Sequence, residues 1–174
     1  MRFFLALFTA IFFVGCGYRP ASVASKELLG DSVFVSVVIS STDPQNTVAL
    51  KDAIRDGVVN RLGRKLLSKQ QASSKIIASL NSISFTPISY DRLGYITAFR
   101  IDISVNFKVD FKDGSTFSKT TFGDYTFKVS THTKYTTDLN SIISEFDRYN
   151  AIVQSSSQAF DEFIATLSIK GLDR

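Results

Sequence analysis

The chain contains one cysteine and one histidine, two residue types that commonly supply a nucleophile, a metal ligand or a base. A zinc site needs a cluster of such ligands, so none is expected. A Ser-His-Asp arrangement would have to use His132, which lies in the polar stretch Ser-Thr-His-Thr-Lys, typical of an exposed loop. Asp161 and Glu162 fall on the polar side of a predicted helix, and Gly-rich phosphate loops are absent. We therefore expect no catalytic residue, no metal and no cofactor.

Cys16 is a candidate for covalent modification because of the residues before it. Met1-Arg2 precedes an apolar run over 3–14, which is typical of a secretory signal peptide. The run is too short for a transmembrane helix, which needs about 20 apolar residues. Phe13-Val14-Gly15-Cys16 resembles a bacterial lipobox, in which the thiol takes a diacylglycerol, although Phe13 replaces the usual Leu. The alternative is an ordinary secretion signal with one spare thiol.

A lipidated Cys16 predicts both the compartment and the division of the chain. We expect a signal peptide over 1–15, a lipidated N-terminus and tether over 16–31, and a single α+β domain over 32–170. Several acyl chains anchor a protein stably to a membrane. Gly17 stands where lipoproteins retained in the inner membrane have Asp, which favours the outer membrane. The formal charge of +4 falls to +3 without Arg2 and gives no reason to expect a nucleic-acid partner.

Hydrophobic periodicity predicts four strands and two helices. The apolar residues of 33–39 predict a first strand, and the four-residue spacing over 46–68 predicts an amphipathic helix. Residues 76–85 predict a second strand, with Thr86-Pro87 marking its end or a bulge. Strict alternation over 99–111 predicts a third strand with one buried and one polar face. Residues 116–129 predict a fourth strand, and 139–169 a final helix.

The turn at Lys112-Asp113-Gly114-Ser115 joins the last two strands, and its length decides which residues face each other. We prefer a three-residue loop with a glycine bulge, and expect Phe111 opposite Phe117 and Phe99 opposite Val129. Phe122 then points to the other face, as an exposed aromatic or a second bulge. The order β-α-β-β-β-α predicts a two-layer α+β sandwich, a four-stranded mixed sheet with two helices packed on one face. Its first two strands pair in parallel or are separated by another strand.

The lipobox, the motif Cys16-Gly17-Tyr18 and this order of elements together resemble the LPS-assembly lipoprotein family, LptE. The resemblance implies a non-enzymatic lipoprotein that plugs the large outer-membrane β-barrel of the LPS translocon (LptD-like), assists its assembly and contacts lipopolysaccharide. It implies LPS contacts at Arg92, within Arg92-Leu93-Gly94, and at Lys134. Lumen walls of such barrels are polar, so the polar positions of the third strand become candidate barrel contacts: Arg100, Asp102, Ser104, Asn106, Lys108 and Asp110.

Two alternatives remain open on the sequence. The chain can be an accessory lipoprotein of another envelope lipid-transport or secretion complex, with the same anchor and a different partner. A periplasmic hydrolase working through carboxylates is the other class, and it requires a pocket with perturbed acids.

Overall fold

The computed structural model describes residues 28–38, 44–129 and 143–172. These residues form five strands and two long helices, in the predicted order apart from one additional short strand. The elements are β1 (Ser32–Val38), α1 (Pro44–Asn60), β2 (Lys65–Leu66), β3 (Ser74–Tyr90), β4 (Ile96–Asp110), β5 (Thr116–Lys128) and α2 (Glu145–Leu172).

The strands form one mixed sheet in the order β2-β1-β3-β4-β5. β1 pairs in parallel with both β2 and β3, whereas β3, β4 and β5 form an antiparallel meander. The sequence left open whether its first two predicted strands pair in parallel or are separated by another strand. In the structure these strands, β1 and β3, are direct parallel neighbours. Both helices contact the sheet, and the α+β sandwich is confirmed with five strands instead of four.

β4 is the central strand of the core, and its alternation is as predicted. Its odd-numbered side chains from Phe99 to Val109 are buried, as is Phe111 just after the strand, and most of them pack against the helices. Aromatic rings dominate this contact: Phe107 stacks on Phe163 of α2 with the ring centroids 4.7 Å apart, and it lies 5.7 Å from Phe160. Such ring pairs stabilise a core beyond the area that they bury.

α1 ends at Asn60, eight residues before the predicted end. Gly63 adopts a φ of 63°, and the N–H of Arg64 donates to the carbonyl of Val58 at 3.0 Å, which closes the helix. The apolar spacing continues beyond the helix because Leu62 is buried in the turn and Leu66 packs on the core from β2. A periodic pattern cannot distinguish a helix from a turn that returns its apolar residues to the same core.

β3 continues to Tyr90, beyond the predicted end at Phe85, and the predicted bulge is present at Pro87. The register against β4 shifts between Pro87 and Ser89, and also between Leu80 and Ser82. β1 pairs with β3 only as far as Ser79, so within the described residues no strand lies beside the second half of β3. Proline is compatible with that position because it has no N–H to leave exposed.

The β4–β5 hairpin has the predicted three-residue loop, but the predicted pairing was wrong by two residues. The N–H of Phe111 donates to the carbonyl of Ser115 at 2.9 Å, and Gly114 has a φ of 81°. Phe117 therefore lies opposite Val109 instead of Phe111, and Phe99 lies opposite Phe127. A shift of two residues keeps every side chain on its own face, so the hydrophobic pattern is satisfied by both registers.

Two further bounds differ from the prediction, one in the C-terminal part of the domain and one at its N-terminal end. α2 starts at Glu145 instead of residue 139, because Ser144 caps it: the Ser144 hydroxyl accepts the N–H of Asp147 at 3.1 Å. At the other end Leu28 and Leu29 are already buried in the core. The packed part of the chain therefore begins before Ser32, inside the segment that we assigned to a tether over 16–31.

α2 packs directly on the backbone of the edge strand β5. A Cβ atom at Gly123 would overlap the carbonyl oxygen of Ser155, so only glycine permits this approach. The Thr121 hydroxyl donates to the carbonyl of Ala159 at 2.8 Å. The N–H of Phe122 donates to the Glu162 carboxylate at 2.9 Å. α2 thus buries one face of β5 and also supplies acceptors along its outer edge.

We expect Gly123→Ala to lower the free energy of unfolding by about 1–3 kcal/mol, because the added methyl group must push α2 away from β5. Denaturant unfolding of the purified protein measures this change. Thr126→Ala is the matched control, since Thr126 is exposed on the same strand, and we expect it to change stability by less than about 0.5 kcal/mol. Equal stability of Gly123→Ala and the unsubstituted protein would contradict the close contact.

Candidate functional site

The β3–β4 turn presents Arg92 at the end of a rigid loop. One carboxylate oxygen of Asp91 accepts the N–H groups of Leu93 and Tyr95, at 2.8 and 2.9 Å. The N–H of Gly94 donates to the Asp91 carbonyl at 3.1 Å, and Gly94 takes a φ of 83°. Arg92 is exposed, and no ion pair joins it to another described residue. The predicted strands over 76–85 and 99–111 left Arg92 in the connection between them, and the structure shows Asp91 as the side chain that holds this turn.

The candidate barrel contacts lie together on the sheet face opposite to the one that α1 and α2 cover. We call this surface the open face. It contains the even-numbered side chains of β4 from Arg100 to Asp110 with their neighbours on β3 and β5. The β4 positions differ in exposure: Arg100 and Lys108 are exposed, Asp102, Asn106 and Asp110 are half-buried, and Ser104 is buried.

Charges on the open face are largely paired with one another. Arg100 donates to Asp102 at 2.9 Å and lies 3.6 Å from Asp124 on β5. Lys108 lies 3.7 Å from Asp110. Such exposed pairs contribute little to stability, but they leave a surface on which opposite charges are close together. The arrangement favours a polar, nearly neutral partner over a strongly anionic one.

Phe122 is the large apolar side chain that stands out on the open face, and 64% of it is exposed. It lies directly opposite Ser104, with Thr120 and Asp124 as the next residues of β5 on the same face. The sequence predicted its orientation but not its surroundings. An aromatic residue enclosed by polar groups is the composition found at the centre of many protein interfaces.

A cleft of about 290 Å³ lies between the first turns of the two helices and was not predicted from the sequence. It is lined by Asn46, Val48, Ala49, Glu145, Arg148, Tyr149 and Ile152. The Tyr149 hydroxyl donates to Asp52 at 2.9 Å, and this hydrogen bond raises the pKa of the phenol above its ordinary value. The two helices run in the same direction here, with Asn46 near Arg148 and Gly57 against Phe160.

Other residues named from the sequence have structural roles or lie outside the described part. Asp161 forms an ion pair with Arg61, and Glu162 accepts the N–H of Phe122, so both carboxylates have partners within the domain. Cys16, His132 and Lys134 lie outside the described residues. Within the described ranges no group of acidic, cysteine or histidine residues is placed to hold a metal ion. No helix in the same ranges is long and apolar enough to span a membrane.

Comparison with known proteins supports one family. The family model described as LptE, lipopolysaccharide-assembly, matches residues 34–167. Rare lipoprotein B from Shewanella oneidensis is a similar solved structure, at 10% identity and a TM-score of 0.46, over 82% of this chain and 97% of that one. A putative lipoprotein from Caulobacter crescentus is another similar structure, at 12% identity and a TM-score of 0.48, over 80% of this chain and 92% of that one. No curated protein matches the chain in sequence.

We expect Asp91→Ala to loosen the β3–β4 turn, because it removes the acceptor of two backbone N–H groups. The amide protons of Leu93 and Tyr95 should exchange with solvent at least about tenfold faster, which corresponds to the loss of a hydrogen bond worth about 1.4 kcal/mol. Hydrogen exchange followed by NMR measures this. Asp91→Asn keeps an acceptor oxygen and serves as control, with exchange close to that of the unsubstituted protein. Unchanged exchange in Asp91→Ala would show that the backbone alone holds the turn.

Proposed function

The chain belongs to the LptE lipopolysaccharide-assembly family, and we propose that it is the lipid-anchored outer-membrane partner of the LPS-translocon β-barrel. In this role it occupies the barrel lumen, assists assembly of the barrel and contacts lipopolysaccharide on its way to the cell surface. Cys16 carries the lipid, and the domain reaches the lumen from the periplasmic side. The function requires binding and no bond making.

The open face is the observation that carries the proposal. A β-barrel lumen has a polar wall, and a domain that fills it needs a broad polar surface. The open face offers this across three strands, with Asn106 donating to Thr120 at 3.1 Å and Arg100 paired with Asp102. Because these groups already have partners, exchanging their water for a polar wall costs less than it would for isolated charges. We propose Arg100, Asp102, Asn106 and Lys108 as contacts with the wall.

Phe122 adds an apolar centre to this contact. Interfaces concentrate their binding energy in a few side chains, commonly aromatic, that are enclosed by a polar rim. Phe122 has that rim on its own chain, and its backbone is held by Glu162. Its position needs no rearrangement on binding, which lowers the entropic cost of docking.

Arg92 is the proposed contact with LPS phosphate. A guanidinium group binds phosphate through two parallel N–H groups, and Arg92 stands exposed on a turn whose backbone is fixed by Asp91. Lys134 is proposed as a second cation for the same ligand, by its position in the sequence. The turn and the open face are separate surfaces, which allows LPS and the barrel to be bound at the same time.

The first test is a detergent pull-down of the tagged protein from outer membranes. We expect a single large β-barrel at equal stoichiometry, bound about tenfold more weakly by Phe122→Thr because an interface anchor is lost. Phe146→Thr is the control, since Phe146 is also largely exposed but lies at the start of α2. Transporter or secretion components in place of a barrel would support an accessory role in another envelope complex. Equal recovery of the barrel by both variants would remove Phe122 from the interface.

We expect Arg92→Asp to weaken LPS binding by at least about tenfold, because it replaces a phosphate-binding cation with a charge that repels phosphate. Binding of labelled LPS to the purified protein measures this. Lys69→Asp changes the net charge by the same two units on another exposed turn and should leave binding unchanged. Equal losses in both variants would reduce the effect to overall charge.

A further inference from the structure

The tip of the β3–β4 hairpin is apolar as well as basic. Leu93 is 75% exposed, Tyr90 59% and Ile88 47%. None of the three belongs to the main core cluster or to the smaller one around Phe99, although Ile96, which lies opposite Tyr90, packs against the smaller one. Isolated surface leucines need no explanation. Three exposed apolar side chains within six positions, beside an exposed arginine, form a small amphipathic surface that we call the hairpin tip (Ile88, Tyr90, Arg92 and Leu93).

The hairpin tip lies beyond the end of β1, at the last pairs of the β3–β4 ladder. β1 leaves β3 at Ser79, and Phe85 is the last β3 side chain in contact with the core clusters. A strand rises about 3.3 Å per residue, so Tyr90 lies about 17 Å beyond Phe85 along the strand. Within the described residues α2 begins at Glu145, and its Arg148 lies over the Phe85 ring at 4.8 Å, five positions before Tyr90 on β3.

The turn also holds the backbone of its apolar residue, Leu93, through hydrogen bonds. The N–H of Leu93 donates to Asp91, and the hairpin closes through the N–H of Asp91 donating to Tyr95 at 2.8 Å. A leucine whose only role is in folding is expected to pack against its own chain, here against Tyr95 or Ile96. Here the backbone is fixed by four hydrogen bonds within five residues, from Asp91 to Tyr95, and Leu93 is directed outward.

We propose that the hairpin tip binds an acyl chain of the same lipopolysaccharide molecule whose phosphate contacts Arg92, an inference that rests on the proposed function. Charge decides the class of ligand: a cation directly beside an apolar side chain matches a lipid in which a phosphate lies close to acyl chains. A protein partner would be expected to meet this surface with a carboxylate instead. A flat bilayer offers the same chemistry over a much wider area, whereas the hairpin tip exposes only these three apolar side chains beside one cation among the described residues, which favours a single lipid molecule.

The proposal predicts that the two halves of the ligand depend on different residues. Leu93→Ser should weaken binding of intact LPS by about tenfold, the effect of exposing one buried leucine. It should leave binding of deacylated LPS, which keeps its phosphates, unchanged. Arg92→Asp should weaken binding of both ligands.

The experiment uses the full-length protein in non-ionic detergent with labelled intact and deacylated LPS. Val59→Ser is the matched control, since Val59 is an exposed apolar residue on α1, and it should bind both ligands as the unsubstituted protein does. The exchange rates of the Leu93 and Tyr95 amides show whether the turn survives Leu93→Ser. If it does not survive, Tyr90→Ser replaces it, since Tyr90 ends β3 and donates no turn hydrogen bond through its side chain in the described structure.

Intact LPS binding that Leu93→Ser and Tyr90→Ser leave unchanged would overturn the acyl contact while the phosphate contact stands. Equal loss of both ligands in Leu93→Ser with an intact turn would also overturn it, because the leucine would then act on the phosphate. Failure of the unsubstituted protein to bind intact LPS would overturn the proposed LPS contact and the acyl contact together. Binding of the hairpin tip to a protein fragment of the barrel, competing with LPS, would assign the surface to a protein partner.

Discussion

The close approach of α2 to the backbone of β5 is the contact on which the arrangement of the domain depends. Gly123 allows the helix to lie against the strand, and Phe160 and Phe163 fill the space between the helix and Phe107 on β4. Because α2 lies so close to the backbone of β5, its polar side chains reach the edge of the sheet and accept the N–H groups of Phe122 and Asp124. An edge strand with satisfied N–H groups is a poor template for pairing with other chains.

Covering one face of the sheet leaves the other face to determine what the domain can bind. On the open face, the charges of β4 and β5 pair with each other, and Phe122 stands among small polar residues. A surface of this kind is stable in water and remains suitable for a polar wall. The fold therefore separates two tasks between two faces: the helix side provides stability, and the sheet side is available to a partner.

The extension of β3 and β4 beyond β1 adds a third surface. Pro87 and three register shifts against β4 make this part of β3 irregular, which reduces the tendency of its exposed edge to pair with another strand. At the end of this extension Asp91 fixes a turn that presents a cation and a leucine together. The lipid contact and the barrel contact proposed for this family member consequently belong to different parts of the chain, and each can be altered without the other.

The order of the elements, the buried face of β4 and the resemblance to the LptE family followed from the sequence, because alternation and motif are local properties of the chain. Even the outward orientation of Phe122 was predicted from its parity. The register between β4 and β5 was not predicted correctly, because a shift of two residues leaves every side chain on the same face of the sheet. Only the hydrogen bond that closes the turn, from Phe111 to Ser115, selects between the two registers. The end of α1 and the strand β2 were not predicted for a similar reason, because Leu62 and Leu66 reach the core without a helix.

Tertiary structure alone decided which polar groups meet: Glu162 with the edge of β5, Asp91 with its own turn and Arg100 with Asp124. Hydrogen bonds and ion pairs act over a few ångströms, and the sequence does not specify those distances until the register and the packing of α2 are set.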